Sequence, residues 1–199
     1  ASDVYKRQTI KNANFDIIAV MDSDDICELD RFERQINLIE ANSEMVVSGW
    51  IEEFNNSPKD VGKVRKTPTS YRKIISYGKW RNPINHVTLM FTREAYDHVG
   101  GYSSIRHSED WDLISRMLVK GIKVVGIPHV LVNVRAGDEM IERRRNIDQF
   151  KGELGLFIKM YKIGYLNFFQ LISNMAIRIF LRVLPKFITK LTYKNLLRK

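Results

Sequence analysis

The chain has 199 residues, 44% hydrophobic and 28% charged, a composition that suits one sizeable core and excludes a disordered or fibrous protein. Its single cysteine, Cys27, excludes an internal disulfide framework and fits a reducing compartment. The net charge of +9 sits entirely in the tail, where nine basic residues and no acidic one follow Glu153, leaving 23 basic against 23 acidic residues before it.

Such a basic arm meets an anionic surface, either membrane or nucleic acid. No secretory signal stands at the start, and the longest apolar stretch, Tyr165–Leu184, is interrupted by Arg178 and Arg182. The first eight residues, ASDVYKRQ, read as the translation of a transposon sequencing adaptor and are set apart from the fold. Finding those codons in the genome would refute that reading. Residues 9–150 are then the main domain and residues 151–199 a basic amphipathic helical tail.

In chain order, Phe15–Met21 is a short apolar run that predicts a strand buried on both faces of a mainly parallel sheet. Asp22–Asp25 ends it. Asp30 with Glu33 has the spacing of a capping box, opening a helix over 31–41 whose apolar stripe is Phe32, Ile36 and Ile39. Met45–Phe54 predicts a second strand, and 55–68 a polar surface loop. A short helix over 71–77, a strand over 87–91 and a helix over 93–99 closed by Gly100-Gly101 follow. Apolar spacing then predicts a helix over 110–120, and 124–127 and 130–134 read as strands around Pro128. The remainder is mostly helical. Strands interleaved with helices predict an α/β protein, with some antiparallel pairing in its second half.

Two acidic sites carry chemistry. Ligands of open α/β sheets gather beyond the carboxyl ends of strands, where Asp22, Ser23, Asp24 and Asp25 fall. Clustered carboxylates resist ionising together unless a cation is present, and Mg²⁺ or Mn²⁺ suits oxygen ligands that also meet phosphate. Loop-capping aspartates are the plainer alternative. An EF-hand loop matches at Asp22, Asp24 and Glu33 but has Cys27 where glycine is required and Ile26 where a ligand is required. A phosphatase with Asp22 as nucleophile remains a third reading. The second site, Ser108–Leu113 (SEDWDL), sets acids at the start of a helix, where dipole capping is the plain alternative.

Taken together, MDSDD, NPINHVTLMF at Asn82–Phe91, Gly100-Gly101-Tyr102, SEDWDL and the strand leading to Arg135 stand in the order found in family 2 glycosyltransferases of GT-A fold. The chain resembles that family over residues 15–146, most closely its bacterial members that build surface polysaccharides. The resemblance implies a GT-A-like, partly Rossmann-like mixed sheet flanked by helices, with a C-terminal helical extension. It implies an inverting transfer from a nucleotide-sugar donor to a saccharide or lipid-linked acceptor. Asp22 and Asp24 match the D-x-D pair that holds a divalent metal, Mn²⁺ or Mg²⁺, and the donor. Asp110 matches the catalytic base, and Glu109 helps place the acceptor. His86, Asp25 and Trp111 are expected at the cleft.

Arg135, Arg143 and Arg144 are candidate diphosphate contacts, because a guanidinium binds phosphate through a fixed fork of donors; Arg145 reads as solvated. Many relatives carry a histidine beside the Arg135 position as a further metal ligand, and Val134 stands there instead. The family's nucleotide-base pocket precedes the strand at residue 15, so the resemblance implies an N-terminally truncated chain that is inactive alone. Robust transfer by the purified chain would refute this.

Arg178, Arg182, Lys186, Lys190, Lys194 and Arg198 recur every fourth residue among apolar ones, as in a helix lying on an anionic membrane. The alternative is a helix packed on its own domain with the basic residues reaching outward. The aromatics are not interleaved as base-stacking platforms, which argues against nucleic acid. The expected location is the inner face of the bacterial plasma membrane, and a non-catalytic membrane-binding remnant is the remaining alternative.

Overall fold

A computed structural model describes residues 2–40, 44–54, 62–105, 107–135 and 147–183. Among the described residues six strands form one mixed sheet: β1 (Ile17–Ala19), β2 (Ile26–Cys27), β3 (Met45–Phe54), β4 (Val64–Arg65), β5 (Met90–Thr92) and β6 (Lys123–Arg135). The order is β1-β5-β3-β6-β2, with β4 beside β3. Among these described strands only β3 and β6 pair in parallel, from Met45 opposite Lys123 to Phe54 opposite Arg135. The expected α/β architecture, a mixed sheet flanked by helices with a helical C-terminal part, is what the structure has.

The first strand departs from expectation. β1 is an edge strand, antiparallel to β5, with Ile18 buried and Ile17 and Ala19 exposed. The apolar run is there, but among the described residues no strand lies on its outer side. Residues 124–127 and 130–134 are one long strand rather than two, since β6 bulges opposite Gly49, Trp50 and Ile51 of β3, taking up extra residues around Pro128 without ending the pairing. The stretch expected as a strand over 87–91 begins as a 3₁₀ turn, His86–Thr88, and only Met90–Thr92 is extended.

The helices are α1 (Ser2–Asn12), α2 (Arg31–Ile39), α3 (Tyr71–Gly78), α4 (Arg93–His98), α5 (Glu109–Val119), α6 (Ile147–Lys162) and α7 (Phe168–Val183). Asp30 precedes α2 as its N-cap residue but makes no side-chain cap bond; its carboxylate accepts from Arg34 Nε at 2.6 Å instead. The capping box is therefore not formed. Gly100 and Gly101 close α4 with φ of 72° and 67°, as expected of a glycine pair. A β-carbon on Gly101 would lie 2.6 Å from the Tyr96 ring, so that turn has no room for a side chain.

Successive residues of a strand face opposite sides of a sheet, and β3 shows it: Val46 faces one cluster, Met45 and Val47 the other. The larger cluster is covered by α3, α5, α6 and α7, with Leu113, Ile114, Met117, Leu156, Phe157 and Met160 fully buried. The smaller lies beneath α2, around Ile39, Val47, Leu131 and Val132.

Candidate active site

The acidic stretch is the crossover between the two edges of the sheet, leaving β1 and entering β2. Val20 N donates to Leu89 O at 2.8 Å, so the crossover begins next to the His86–Thr88 turn. It ends where Arg135 N donates to Asp25 Oδ1 at 3.1 Å. The expected neighbours Asp25 and Arg135 are thus brought together, although the Arg135 guanidinium lies 5.2 Å from the centre of the Phe54 ring. Burial raises the Asp25 carboxyl above the usual range, the Arg135 amide opposes that, and Asp22 and Asp24 add to it. Asp22 and Asp24 are exposed.

Behind the crossover lies a residue the sequence reading missed. Arg31, read there only as the start of a helix, is fully buried. Its Nη2 donates to Val20 O at 2.8 Å and its Nε to Gln35 Oε1 at 2.9 Å. Gln35 Nε2 in turn donates to Thr88 O at 2.8 Å and Val47 O at 3.2 Å. One turn of helix, Arg31 and Gln35, therefore joins the end of β1, the histidine turn and β3. The only signal was an Arg and a Gln spaced i, i+4 on the face that carries Ile39.

The second acidic site opens α5. Asp110 Oδ1 accepts from Trp111 N at 2.8 Å, and Oδ2 from Asn82 Nδ2 at 2.7 Å. Each carboxylate oxygen can accept more than one hydrogen bond, so the half-buried Asp110 keeps acceptor capacity. Glu109 pairs at 3.0 Å with Nζ of Lys6, which lies in the stretch expected to stand apart from the fold and belongs to α1. Trp111 turns into the core, donating to Gly78 O at 2.8 Å and meeting Phe157 edge-on at 5.6 Å.

The third acid of the motif, Asp112, has a different task. Fully buried, it accepts from Ser103 Oγ at 2.7 Å and pairs with Arg116 at 2.9 Å and Lys159 at 2.7 Å. Arg116 then donates to Val99 O and Gly101 O, fastening the glycine turn that carries Tyr102.

His86 stands on the 3₁₀ turn beside the start of the crossover. Its neighbours Asn85 and Thr88 anchor the turn on β3, through Asn85 Nδ2 to Gly49 O at 2.8 Å and Gly49 N to Thr88 Oγ1 at 3.0 Å. Both His86 ring nitrogens are buried without a hydrogen-bond partner. Burial lowers its pKa, while Asp110, Asp22 and Glu109 pull it upward and Lys6 pushes it down. The imidazole is therefore within electrostatic reach of both acidic sites. Tyr102 meets it edge-on at 6.4 Å, and the buried Tyr102 hydroxyl also lacks a partner.

Among the described residues no three His, Cys, Asp or Glu side chains converge as a ready metal site. The donor set nonetheless fits a hard cation. Asp25 Oδ2 is buried without a partner, and the mutual repulsion of Asp22, Asp24 and Asp25 is what a divalent ion relieves. Mg²⁺-type sites often use one or two carboxylates and take their other ligands from phosphate and water. Arg143, Arg144 and Arg145, and the tail beyond residue 183, lie outside the described residues.

The arrangement can be set beside known proteins. Residues 6–100 match the sequence pattern of "Glycosyl transferase family 2". An uncharacterized glycosyltransferase of Haemophilus influenzae is 34% identical over 94% of this chain and 70% of its own length. A UDP-Gal:α-D-GlcNAc-diphosphoundecaprenol β-1,3-galactosyltransferase of Escherichia coli is 33% identical over 92% of this chain and 67% of its own. The amylovoran biosynthesis glycosyltransferase AmsE of Erwinia amylovora is 30% identical, over 94% and 70%.

Among solved structures, Staphylococcus aureus TarS (1–349) superposes with a TM-score of 0.55 at 10% identity, over 95% of this chain and 52% of that one. The Pyrobaculum calidifontis mannosyltransferase PcManGT, solved with GDP-Man and Mn²⁺, gives 0.50 at 16%, over 96% and 58%. The chain thus spans about two-thirds of these curated relatives and little more than half of these solved structures. Identity near one-third along almost the whole chain, on this fold, leaves one conclusion: the chain belongs to glycosyltransferase family 2.

Proposed function

We propose that this chain is the catalytic part of an inverting glycosyltransferase that moves a sugar from a nucleoside-diphosphate donor to a lipid-linked saccharide in bacterial surface-polysaccharide synthesis. Family membership removes the reading of Asp22 as a phosphatase nucleophile. The observation that carries the proposal is that one stretch, residues 82–89, meets both acidic sites: Asn82 holds Asp110 at 2.7 Å, and Leu89 O accepts from Val20 N at 2.8 Å where the Asp22/Asp24 crossover begins.

Inversion is one displacement. The acceptor oxygen bonds to the anomeric carbon, the bond from that carbon to the diphosphate oxygen breaks, and the acceptor proton must leave. Asp110, held by Asn82, takes that proton as general base. Glu109 binds acceptor hydroxyls beside it. Asp22 and Asp24 would hold a divalent cation, which when bound neutralises charge on the departing diphosphate. Arg135, and Arg143 and Arg144 beyond it in sequence, are the candidate phosphate contacts.

The lipid-linked acceptor is supported by the Escherichia coli relative, whose name specifies one, and by the nine basic residues after Glu153, which suit an anionic membrane. The test is transfer from a labelled nucleotide sugar to a lipid-linked saccharide by the full gene product, with the anomeric configuration read by NMR. Inverted product, lost in Asp110→Asn, is expected; retained configuration would sink the mechanism.

A further inference from the structure

Arg178 and Arg182, two residues of the basic series, do not face outward. Arg178 Nε lies 3.4 Å from Glu153 and its guanidinium 5.7 Å from the centre of the Phe157 ring; Arg182 stacks on Phe150 at 4.6 Å. Both turn toward α6. The outward face of α7 consists of Phe168, Phe169, Ile172, Ala176, Ile177, Ile179 and Phe180, and Ser173 is the one polar residue exposed among the described residues of the helix. Phe169 is 80% exposed and Phe180 64%. In sequence, the stretch after Glu153 carries nine cations, five of them after residue 183, and no acid.

An apolar face of this size without a partner marks an interaction surface. The charge of the sequence selects the occupant, because an exposed apolar face in a segment that carries cations and no acid suits a bilayer of anionic lipid. Sixteen residues of helix extend about 24 Å. Among the described residues no helix is long and apolar enough to cross a membrane; with one face exposed and apolar and the other packed on α6, α7 has the two-sided form of a helix that lies in the interface.

The same helix grips the strap that leads to the candidate base. Asn174 Nδ2 donates to Lys79 O at 3.0 Å, and Arg178 Nη2 reaches Trp80 O at 3.5 Å. Two residues on, Asn82 holds Asp110 at 2.7 Å. Trp80 is 41% exposed, and tryptophan favours the membrane boundary. We propose that the outward face of α7 inserts into the surface of an anionic bilayer and, through residues 79–82, holds the acceptor site at the lipid–water boundary. The link to the acceptor rests on the reading of Asp110 as base; the docking does not.

The full chain is sedimented with vesicles of phosphatidylglycerol and phosphatidylethanolamine, and with phosphatidylcholine alone. Binding to the anionic vesicles is expected, at least tenfold weaker in Phe169→Glu/Phe180→Glu and in Ile172→Ser/Ile179→Ser, with circular dichroism unchanged. Every cation survives in both variants, so undiminished binding overturns the proposal. So does a wild-type dimer that the variants convert to monomer without loss of vesicle binding, which would assign the face to a second copy. Vesicles with brominated chains should quench tryptophan fluorescence, and Trp80→Phe should remove the quenching; unquenched Trp80 overturns the placement of the strap. Asp110→Asn must bind vesicles as the wild type does. If it binds but still transfers sugar, the catalytic reading fails and the docking stands.

Discussion

Asn82 donates to Asp110 across 28 residues of sequence, at 2.7 Å, and fixes the carboxylate that opens α5. The amide is itself placed from both sides, since Asn82 Oδ1 accepts from Ile84 N at 3.3 Å and Trp111 holds Gly78 O just before the strap. A general base must be within hydrogen-bond reach of the proton it takes, and this pair restricts where Asp110 can point. Asp110→Asn should lower kcat by about 10²–10⁴-fold. Asn82→Ala should lower it by up to about 10²-fold through misplacement alone, with donor binding unchanged. Equal kcat in Asn82→Ala and wild type would remove Asn82 from the site.

The two aspartates of SEDWDL should separate cleanly by assay. Asp112 is fully buried between Arg116 and Lys159, so Asp112→Asn leaves two cations short of their partner and should destabilise the fold by about 3–5 kcal/mol. Asp110→Asn keeps a side chain of the same shape and loses a carboxylate at the start of α5, which should cost about 0.3–1 kcal/mol. Urea denaturation of the two variants checks this, and a reversed order would contradict the division of labour.

The acidic crossover should respond to divalent cation. Millimolar Mn²⁺ is expected to raise the melting temperature of the wild type but not that of Asp22→Asn/Asp24→Asn, because a ligand that binds only the folded state stabilises it. Manganese paramagnetic broadening, which does not depend on turnover, should report the same loss. An identical shift in both proteins would mean that the ion sits elsewhere.

His86 should make stability depend on pH. Burial holds its folded pKa below the ordinary value near 6.5, so the unfolded chain takes up a proton first as pH falls. Its contribution is therefore complete above about pH 6.5 and is lost progressively as pH falls toward the folded value. His86→Gln should flatten the urea midpoint between about pH 7.5 and 5 relative to wild type. Parallel curves for the two proteins would show that the imidazole is not what titrates.

Arg31 offers a test of the support beneath the crossover. Arg31→Met keeps the bulk but removes the donors to Val20 O and Gln35, leaving a buried carbonyl and amide unpaired at about 1–3 kcal/mol. Arg31→Gln/Gln35→Met should do no better, because neither residue then bridges β1 to the His86 turn. Recovery of wild-type stability in that double variant would show that the network is dispensable.

The sequence by itself determined the pieces of the candidate site. MDSDD after an apolar run, SEDWDL at a helix start and the Gly100-Gly101 pair are local signals, since charge repulsion, helix capping and left-handed backbone act within a few residues. The boundaries of α2, α3, α4 and α5 were legible to within a residue or two for the same reason. Three matters needed the tertiary structure. Which neighbour lies beside β1 depends on strands far away in sequence, so its edge position and antiparallel pairing were not local properties. Asn82, Arg31 and Gln35 looked like ordinary polar residues, because their partners are the carbonyls and a carboxylate that folding brings to them. The orientation of α7 was decided by Glu153, Phe150 and Phe157, which draw Arg178 and Arg182 inward and leave the aromatic face outside. Periodicity shows that a helix has two faces; only packing decides which one is covered.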